Sequence, residues 1–569
     1  MDQSITMTPA AHMTERAPVV RHFRQILLWP LELLPVRATE QIQTHWRFLR
    51  EAPSTPWREV EDEFTGDPAL FQDRHYSEFV TFLPYVQRFL YGEGGATGPA
   101  QSPIRVFRRT DVTRARLTFP DLDGAVLLDV AHVDLYFFYD IDVVILVVEL
   151  SGDGLALPLV QDTLYRLGRA YPTHWDGKGR GGHCLARAEW LAEDGTVLAV
   201  SDYEKREKFL AHVCRYRAPA IAAHWEYLLT PMVPHHSDRP GVLRYRPIEF
   251  HRMPILGYLA VEDGRPLTRA QFVRLGLVTA PGPAETLPFS EAYVADFESR
   301  YCYDRHWHDG RGTRYLCSGE AFVMVGSAAD EYFVDRDAGL LAHFRHQQFL
   351  VFLIAHFHKA ALVMLSDRLV GALNRLDIDD TESVKRFKRT IRHLKEIFLR
   401  FTHRYWFHEV SDQAQAKALF QMAQYGLGTE RLFAEVRDEI QDMAEYLDSD
   451  SLRRQANMVI RLTVVTTVGL IGTISTGFLG MNLIAAHDAP MLVKLGYFGL
   501  VLVPTIALTA YSILKSKRLA DFLEALADER LSARTKLGAL AKVWGSPDPH
   551  RDRVSGSQER RRRQRSRPR

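Results

Sequence analysis

Gly480, Met481 and Asn482 stand near the end of the first of two long uncharged runs in this 569-residue chain. None of the three acts as an acid, a base or a nucleophile near neutral pH, so the chemistry on offer is that of an amide oxygen. Such an oxygen suits a small, hard dication that keeps its own water, because it accepts hydrogen bonds from the water shell without stripping it. One asparagine cannot enclose an ion, whereas a cyclic oligomer sets a ring of Asn482 side chains around one axis. Gly480 lets the backbone turn where the helix ends. The competing reading is that Asn482 merely caps that helix. Just beyond lie His487 and Asp488, a carboxylate to attract cations and an imidazole better suited to zinc, nickel or cobalt. A separate set, Cys302, His306, His308 and Cys317, has a spacing conceivable for zinc but fits no structural-zinc pattern.

Two apolar elements must position the tripeptide. Leu462 to Ala486 runs 25 positions without a charge, and Leu495 to Leu514 runs 20. Each is long enough to cross a hydrocarbon core roughly 30 Å thick. The first span is assigned to 459–486, an external loop to 487–494 and the second span to 495–514; Pro504 is tolerable in a membrane helix. Arg453, Arg454 and Arg461 precede the pair, and Lys515, Lys517 and Arg518 follow it. Both ends therefore face the cytoplasm, by the excess of basic residues on that side of a membrane. Stepping back along the helix from Asn482 assigns Thr473, Leu470, Thr466 and Leu462 to one pore-lining face, with ordinary helix packing as the alternative. Gly469, Gly472 and Gly477 permit close helix approach. A third apolar stretch, Phe349 to Leu365, carries His356, His358 and Lys359, which are expensive in lipid. It is expected to be part of a long buried helix.

The remainder reads as an α/β cytoplasmic domain followed by a long helical stalk leading into two transmembrane α-helices. Residues 1–99 form an N-terminal extension, helical and irregular, in which Pro30, Glu32 and Pro35 break an apolar stretch that is not a signal peptide. Strand-like runs rich in β-branched and aromatic residues then recur over 100–335: Ile104 to Arg108, Ala125 to Val130, Val133 to Tyr139, Val143 to Leu150, Val242 to Glu249, Ile255 to Val261 and Ala321 to Val325. Helical segments such as Leu159 to Leu167 and Lys205 to Leu229 lie between them. The stalk, 336–458, is expected as helices over Leu340 to Leu376, Thr381 to His408 and Asp412 to Leu447, the last continuing into the first span. Residues 515–569 form a basic tail ending in arginines, attracted to anionic lipid at the inner leaflet or simply solubilising.

At this point the chain resembles the CorA-type magnesium channel family. Members share the Gly-Met-Asn tripeptide at the outer end of the first of two C-terminal spans, a long helix leading into that span and cationic residues after the second. Asn457, Arg461 and Thr463 are similar to residues the family carries at the span entrance, with one residue fewer before the tripeptide. The resemblance covers about 430–518 and is architectural before that. It implies a funnel-like homopentamer in the inner membrane that admits magnesium passively. It also implies Leu462 and Leu470 as a hydrophobic gate, and a regulatory ion between cytoplasmic domains, for which Asp448 and Asp450 are best placed. No covalently bound cofactor is implied, only Mg²⁺ as the transported ion and possible regulator, with membrane lipid as surroundings. The chain departs from the family in having Leu479 where an aromatic is usual and a single acid, Asp488, in the connector.

Composition narrows the alternatives. Lysine plus arginine total 71 against 70 acids, so net charge does not suggest nucleic acid as a partner. Four cysteines suit a reducing compartment. Without a phosphate loop, a serine elbow or a paired-carboxylate arrangement, the chain is not expected to be an enzyme. Two other readings stay open: a zinc, cobalt or nickel transporter of the same superfamily, carried by His487, and a membrane-anchored metal-binding domain, carried by the cysteine and histidine set.

Overall fold

The computed structural model describes residues 17–35, 44–52, 55–60, 72–92, 102–122, 124–237, 243–248, 252–262, 267–308, 311–377, 380–480, 490–493, 495–500, 503–508 and 511. The chain divides into two compact bodies, Met1–Gln441 and Asp442–Arg569.

The first body is built on a mixed sheet of 14 strands. In chain order these are β1 (Val19–Pro35), β2 (Trp57–Glu59), β3 (Ile104–Arg109), β4 (Arg114–Thr118), β5 (Ala125–Phe138), β6 (Val143–Ala156) and β7 (Arg187–Leu191). They continue as β8 (Val197–Val200), β9 (Val233–Pro234), β10 (Leu243–Pro247), β11 (Ile255–Val261), β12 (Cys302–His308), β13 (Arg311–Cys317) and β14 (Ala321–Ser327). The main path runs β12-β13-β14-β11-β1-β6-β5-β4-β7-β8, with β3 on β5 and β10 on β1. Neighbours pair antiparallel except β11 with β14 and β9 with β10.

The expected boundary near residue 100 is therefore corrected. The stretch read as part of an N-terminal extension supplies β1, a central strand paired along most of its length with β6. Proline at position 30 has no N–H to donate to a neighbouring strand. The structure places it where that loss costs little. β1 pairs with β11 as far as Leu27 and with β10 from Leu31 onward, so Pro30 sits at the gap between two neighbours. The runs Ala125 to Val130 and Val133 to Tyr139 are one strand, interrupted by a bulge between Val130 and His132.

β1 and β6 are buried almost continuously because both sheet faces are covered. Phe23, Leu27, Trp29, Leu31 and Leu33 point to one face and join the main apolar core with Leu146, Val148, Leu135 and Trp225. The alternate residues face a layer of helices. That layer is centred on a core helix, Phe349–Asn374, which follows a short π-helical turn, Phe344–Gln348. Aromatic contacts seat it on the sheet: Phe357 stacks on Phe138 at 3.8 Å between centroids and Phe352 on Phe322 at 4.4 Å.

Counted from Leu340 to Asn374, this 35-residue helical stretch passes a length and composition test for a membrane span, yet 78% of its apolar window is buried inside the protein. The expected buried helix is what the structure has. Near its far end, Arg368 reaches Glu32 at 2.7 Å and also pairs with Asp142. Glu32, only 2% exposed, takes a second guanidinium from Arg246 at 3.0 Å. Isolated, that carboxylate would cost several kcal/mol to bury; the two guanidinium partners offset that cost.

The amphipathic helix Thr381–Arg404 begins at Asp380, whose carboxylate accepts from the backbone N–H groups of Glu382 and Ser383 at 3.0 and 3.1 Å. It buries Phe387, Ile391, Leu394, Phe398 and Phe401, spaced three and four apart. The expected single helix from Asp412 to Leu447 is two: Ala414–Leu427 stops at Gly428, which adopts φ 65°, and a 52-residue helix restarts at Thr429 and runs to Gly480. A glycine tolerates that left-handed cap, and its N–H satisfies the carbonyls of Gln424 and Tyr425. Likewise Lys205 to Leu229 is two helices, Arg206–Tyr216 and Ala223–Leu229.

His356 and His358, 1% and 0% exposed, sit inside the core helix, and burial pushes each imidazole down to about 3, as it does for His224. Their folded pKa lies below the unfolded value near 6.5. Stability is therefore complete above about pH 6.5 and is lost as pH falls toward the folded value, because the unfolded chain takes up protons that the fold refuses. Lowering pH from 7 to 5 is expected to cost about 2 kcal/mol for each such histidine. Denaturant midpoints across that range check this, and His356→Leu should give a shallower decline.

Candidate functional site

The first predicted span is the C-terminal part of the helix Thr429–Gly480, which is described as far as Gly480, the first residue of the tripeptide. Met481, Asn482, His487 and Asp488 lie outside the described residues. Asp448 and Asp450 fall within the helix; their side chains lie outside the described ones. Residues Met491–Leu508 form a second helix, apolar and long enough to cross a membrane, with none of its window buried. It begins inside the segment expected as loop, directly after Pro490, a residue suited to a helix start.

Leu462, Thr466, Leu470 and Thr473 are all exposed. At about 100° per residue they fall within an arc of roughly 80°. Among the described residues, the covered or half-covered Val464 and Val468 lie on the opposite side, and Val465, Gly472 and Thr476 on one adjoining flank. The stepping from Asn482 needs correction, however. Position 482 is nine residues beyond Thr473, which on a continuous helix turns it about 180° away. Asn482 reaches the Thr473 side only if the helix does not continue unchanged as far as position 482.

The adjoining flank has a defined partner. A Cβ on Gly472 would lie 2.5 Å from the Thr505 methyl, so the two apolar helices approach to a separation that only glycine permits at that point. Gly469 and Gly477 face open space. Of the three glycines expected to serve helix approach, one does so between these two helices.

The threonines show a common polarity. Thr466 Oγ1 donates to the carbonyls of Leu462 and Thr463, both at 2.9 Å, and Thr473 Oγ1 to that of Gly469 at 2.9 Å. Thr476 Oγ1 likewise donates to Gly472 at 3.0 Å. A hydroxyl whose hydrogen is committed to its own helix presents lone pairs outward. The exposed face thus alternates bulky apolar groups with acceptors, a pattern able to receive hydrogen bonds from water on a cation.

Of the cysteine and histidine set, Cys302, His306 and Cys317 are not brought together, and the side chain of His308 lies outside the described ones. Cys302 lies across the hairpin from Leu316, His306 is exposed, and Cys317 is buried, its thiol pushed up to about 12 by desolvation. Among the described residues no three His, Cys, Asp or Glu side chains converge as a metal site. What the sequence reading missed is a group of charges inside the strands. Arg24, Arg108, His132, Asp134 and Glu149 all project from the helix-covered face of the sheet and meet one another there. The signal was present: each interrupts an otherwise apolar strand pattern with period two.

Gly472→Val is expected to drive the two apolar helices apart and destabilise the detergent-solubilised protein by about 1–3 kcal/mol, the usual cost of overpacking. Gly472→Val with Thr505→Ala should recover part of that loss, as read from thermal melts of the two variants. No family model, no curated protein and no solved structure matches the chain.

Proposed function

We propose that the chain is a passive channel for a hydrated divalent cation, magnesium in the first instance, formed by a cyclic homo-oligomer and lying in the inner membrane with both termini in the cytoplasm. The observation that carries the reading is the exposed apolar surface of the two last helices. Leu462 and Leu470 are 64% and 61% exposed, and Leu492, Leu495, Phe498, Leu500, Val503 and Ile506 are exposed as well. Patches of this extent do not stay in water; they are covered by lipid, by other copies or by both. A helix described to Gly480 and a second apolar helix beginning at Met491 support a junction between two spans in the stretch that carries Met481 and Asn482. The likeness to the CorA-type channels supports five copies.

In this reading Asn482 amides ring the outer mouth and accept hydrogen bonds from the ion's first water shell, so the ion is recognised without being dehydrated. Below them, outward lone pairs of Thr473 and Thr466 offer further acceptors, and rings of Leu470 and Leu462 close the path by dewetting. Asp488 concentrates cations at the entrance. Entry needs no fuel, since a divalent ion crossing a 100 mV potential gains roughly 4.6 kcal/mol. Asp448 and Asp450 are the proposed sensor of internal ion, and enzymatic activity forms no part of the proposal.

Proteoliposomes carrying the purified chain should take up magnesium down a negative internal potential, and Asn482→Ala should abolish that selectivity or the flux itself. Unaltered permeation in Asn482→Ala would overturn the proposal. Zinc, nickel and cobalt run in parallel decide the ion: zinc flux lost in His487→Ala with magnesium flux spared assigns the channel to zinc-type transport instead.

A further inference from the structure

Between the helix-covered face of the sheet and the start of the core helix lies a cavity of about 430 Å³. That volume is in the range of small-molecule sites. Its floor is set by strand alternation. Arg108 stands opposite Asp134 on neighbouring strands and forks onto it through Nε and Nη2, at 2.8 and 2.9 Å. Glu149, 5% exposed, lies opposite Ile26 on one side and His132 on the other. It accepts from Arg24 at 2.7 Å and from Arg345 at 2.8 Å.

The roof comes from two short elements. The π-helical turn presents consecutive residues, Arg345 and His346, to the same space, and π turns inside helices recur at functional sites. The helix Asp73–Thr81 adds Arg74 and Glu78. Glu78 is already engaged, accepting from the Tyr91 hydroxyl at 2.6 Å and lying 3.3 Å from His346 Nδ1.

The cluster holds four guanidinium groups, Arg24, Arg74, Arg108 and Arg345, against three carboxylates, Glu78, Asp134 and Glu149. Every carboxylate has a partner, so none is left to take up a cation. The surplus is positive. Arg74 forms no ion pair among the described residues, and its Nε is buried without a hydrogen-bond partner, as are His132 Nδ1 and His346 Nε2. All three residues line the cavity. Buried polar atoms left unmatched cost about 1–3 kcal/mol each, and a ligand that satisfies them recovers it. Burial lowers the His132 pKa, with Glu149 and Asp134 opposing and Arg108 and Arg345 reinforcing it. The remaining wall is apolar: Val106, Val147 and Leu350, with Phe349 set edge-on to Tyr136 at 5.7 Å between centroids.

We infer that this cavity binds a small organic anion, a phosphate or carboxylate head held by Arg74, His132 and His346 on a body with a flat apolar face packed against Tyr136 and Phe349. The site is independent of ion conduction, because binding is read without flux.

The test is calorimetric titration of the full chain in nanodiscs, in magnesium-free buffer, with AMP and with benzoate, and with adenosine and benzamide as their uncharged counterparts. AMP, benzoate or both should bind saturably, and the one that binds names the head group as phosphate or carboxylate. The uncharged counterpart should bind at least about tenfold more weakly, and Arg74→Gln should weaken the anion by a similar factor, as expected for losing a charge-assisted hydrogen bond. Arg74 has no ion pair to orphan, so this variant should retain the wild-type melting temperature. Val106→Trp, which fills the cavity from its wall, should abolish binding. Failure of both anions to bind, equal binding of the uncharged compounds, or binding indifferent to both substitutions overturns the inference.

Discussion

The first body depends on one packing arrangement: a helix as apolar as a membrane span, covered by a sheet instead of lipid. Phe352 and Phe357 of the core helix lie flat on Phe322 and Phe138 of the sheet, and the helices beyond close the other side. At roughly 25 cal/mol for each Å² of apolar surface removed from water, such a helix contributes more than any set of ion pairs nearby. It also explains why polar groups can survive along it. His358 Nε2 donates to the Tyr405 carbonyl at 2.6 Å, and Arg368 is held between Glu32 and Asp142. In a bilayer those groups would lack partners; in a folded core the neighbouring segments supply them.

The same arrangement sets where the charged cavity lies. A helix packed along the sheet buries the alternate residues of β1, β3, β5 and β6, whatever their type. Where one of them is Phe138 the contact is dry, ring on ring with Phe357. Where they are Arg24, Arg108, His132, Asp134 and Glu149, charges pair across strands and leave space beneath the π turn. Pairing makes burial of these charges tolerable but not favourable, since desolvation offsets most of the Coulombic gain. Apolar residues of similar size would serve stability as well. A set of charges kept at that cost is better explained by what it can bind.

The two last helices obey the opposite rule. The second exposes leucine, valine and phenylalanine around much of its circumference, and the first exposes Leu462 and Leu470 along one face while Gly472 meets Thr505 on another. Their threonines satisfy their own hydrogens internally, which removes the need for water at the helix surface and leaves acceptors for whatever passes. Apolarity alone did not separate these helices from the core helix. Cover did, and cover is a property of the assembled chain.

By itself the sequence determined the local elements: the strands at Ile255 to Val261 and Val143 to Leu150, and the buried character of a helix interrupted by His356 and His358. These follow from periodicity, side-chain branching and the cost of placing imidazoles in lipid, all of which act over a few residues. Tertiary structure decided what no window of sequence contains. It put a proline-bearing N-terminal stretch at the centre of the sheet, because Pro30 falls between two neighbouring strands. It split one apparent helix at Gly428, where a left-handed cap lets the chain reverse. It also gathered charges from strands more than a hundred residues apart around one cavity. Register across strands and the burial of a given face depend on partners distant in the chain, so the physical cause of each of these features is absent from the segment that displays it.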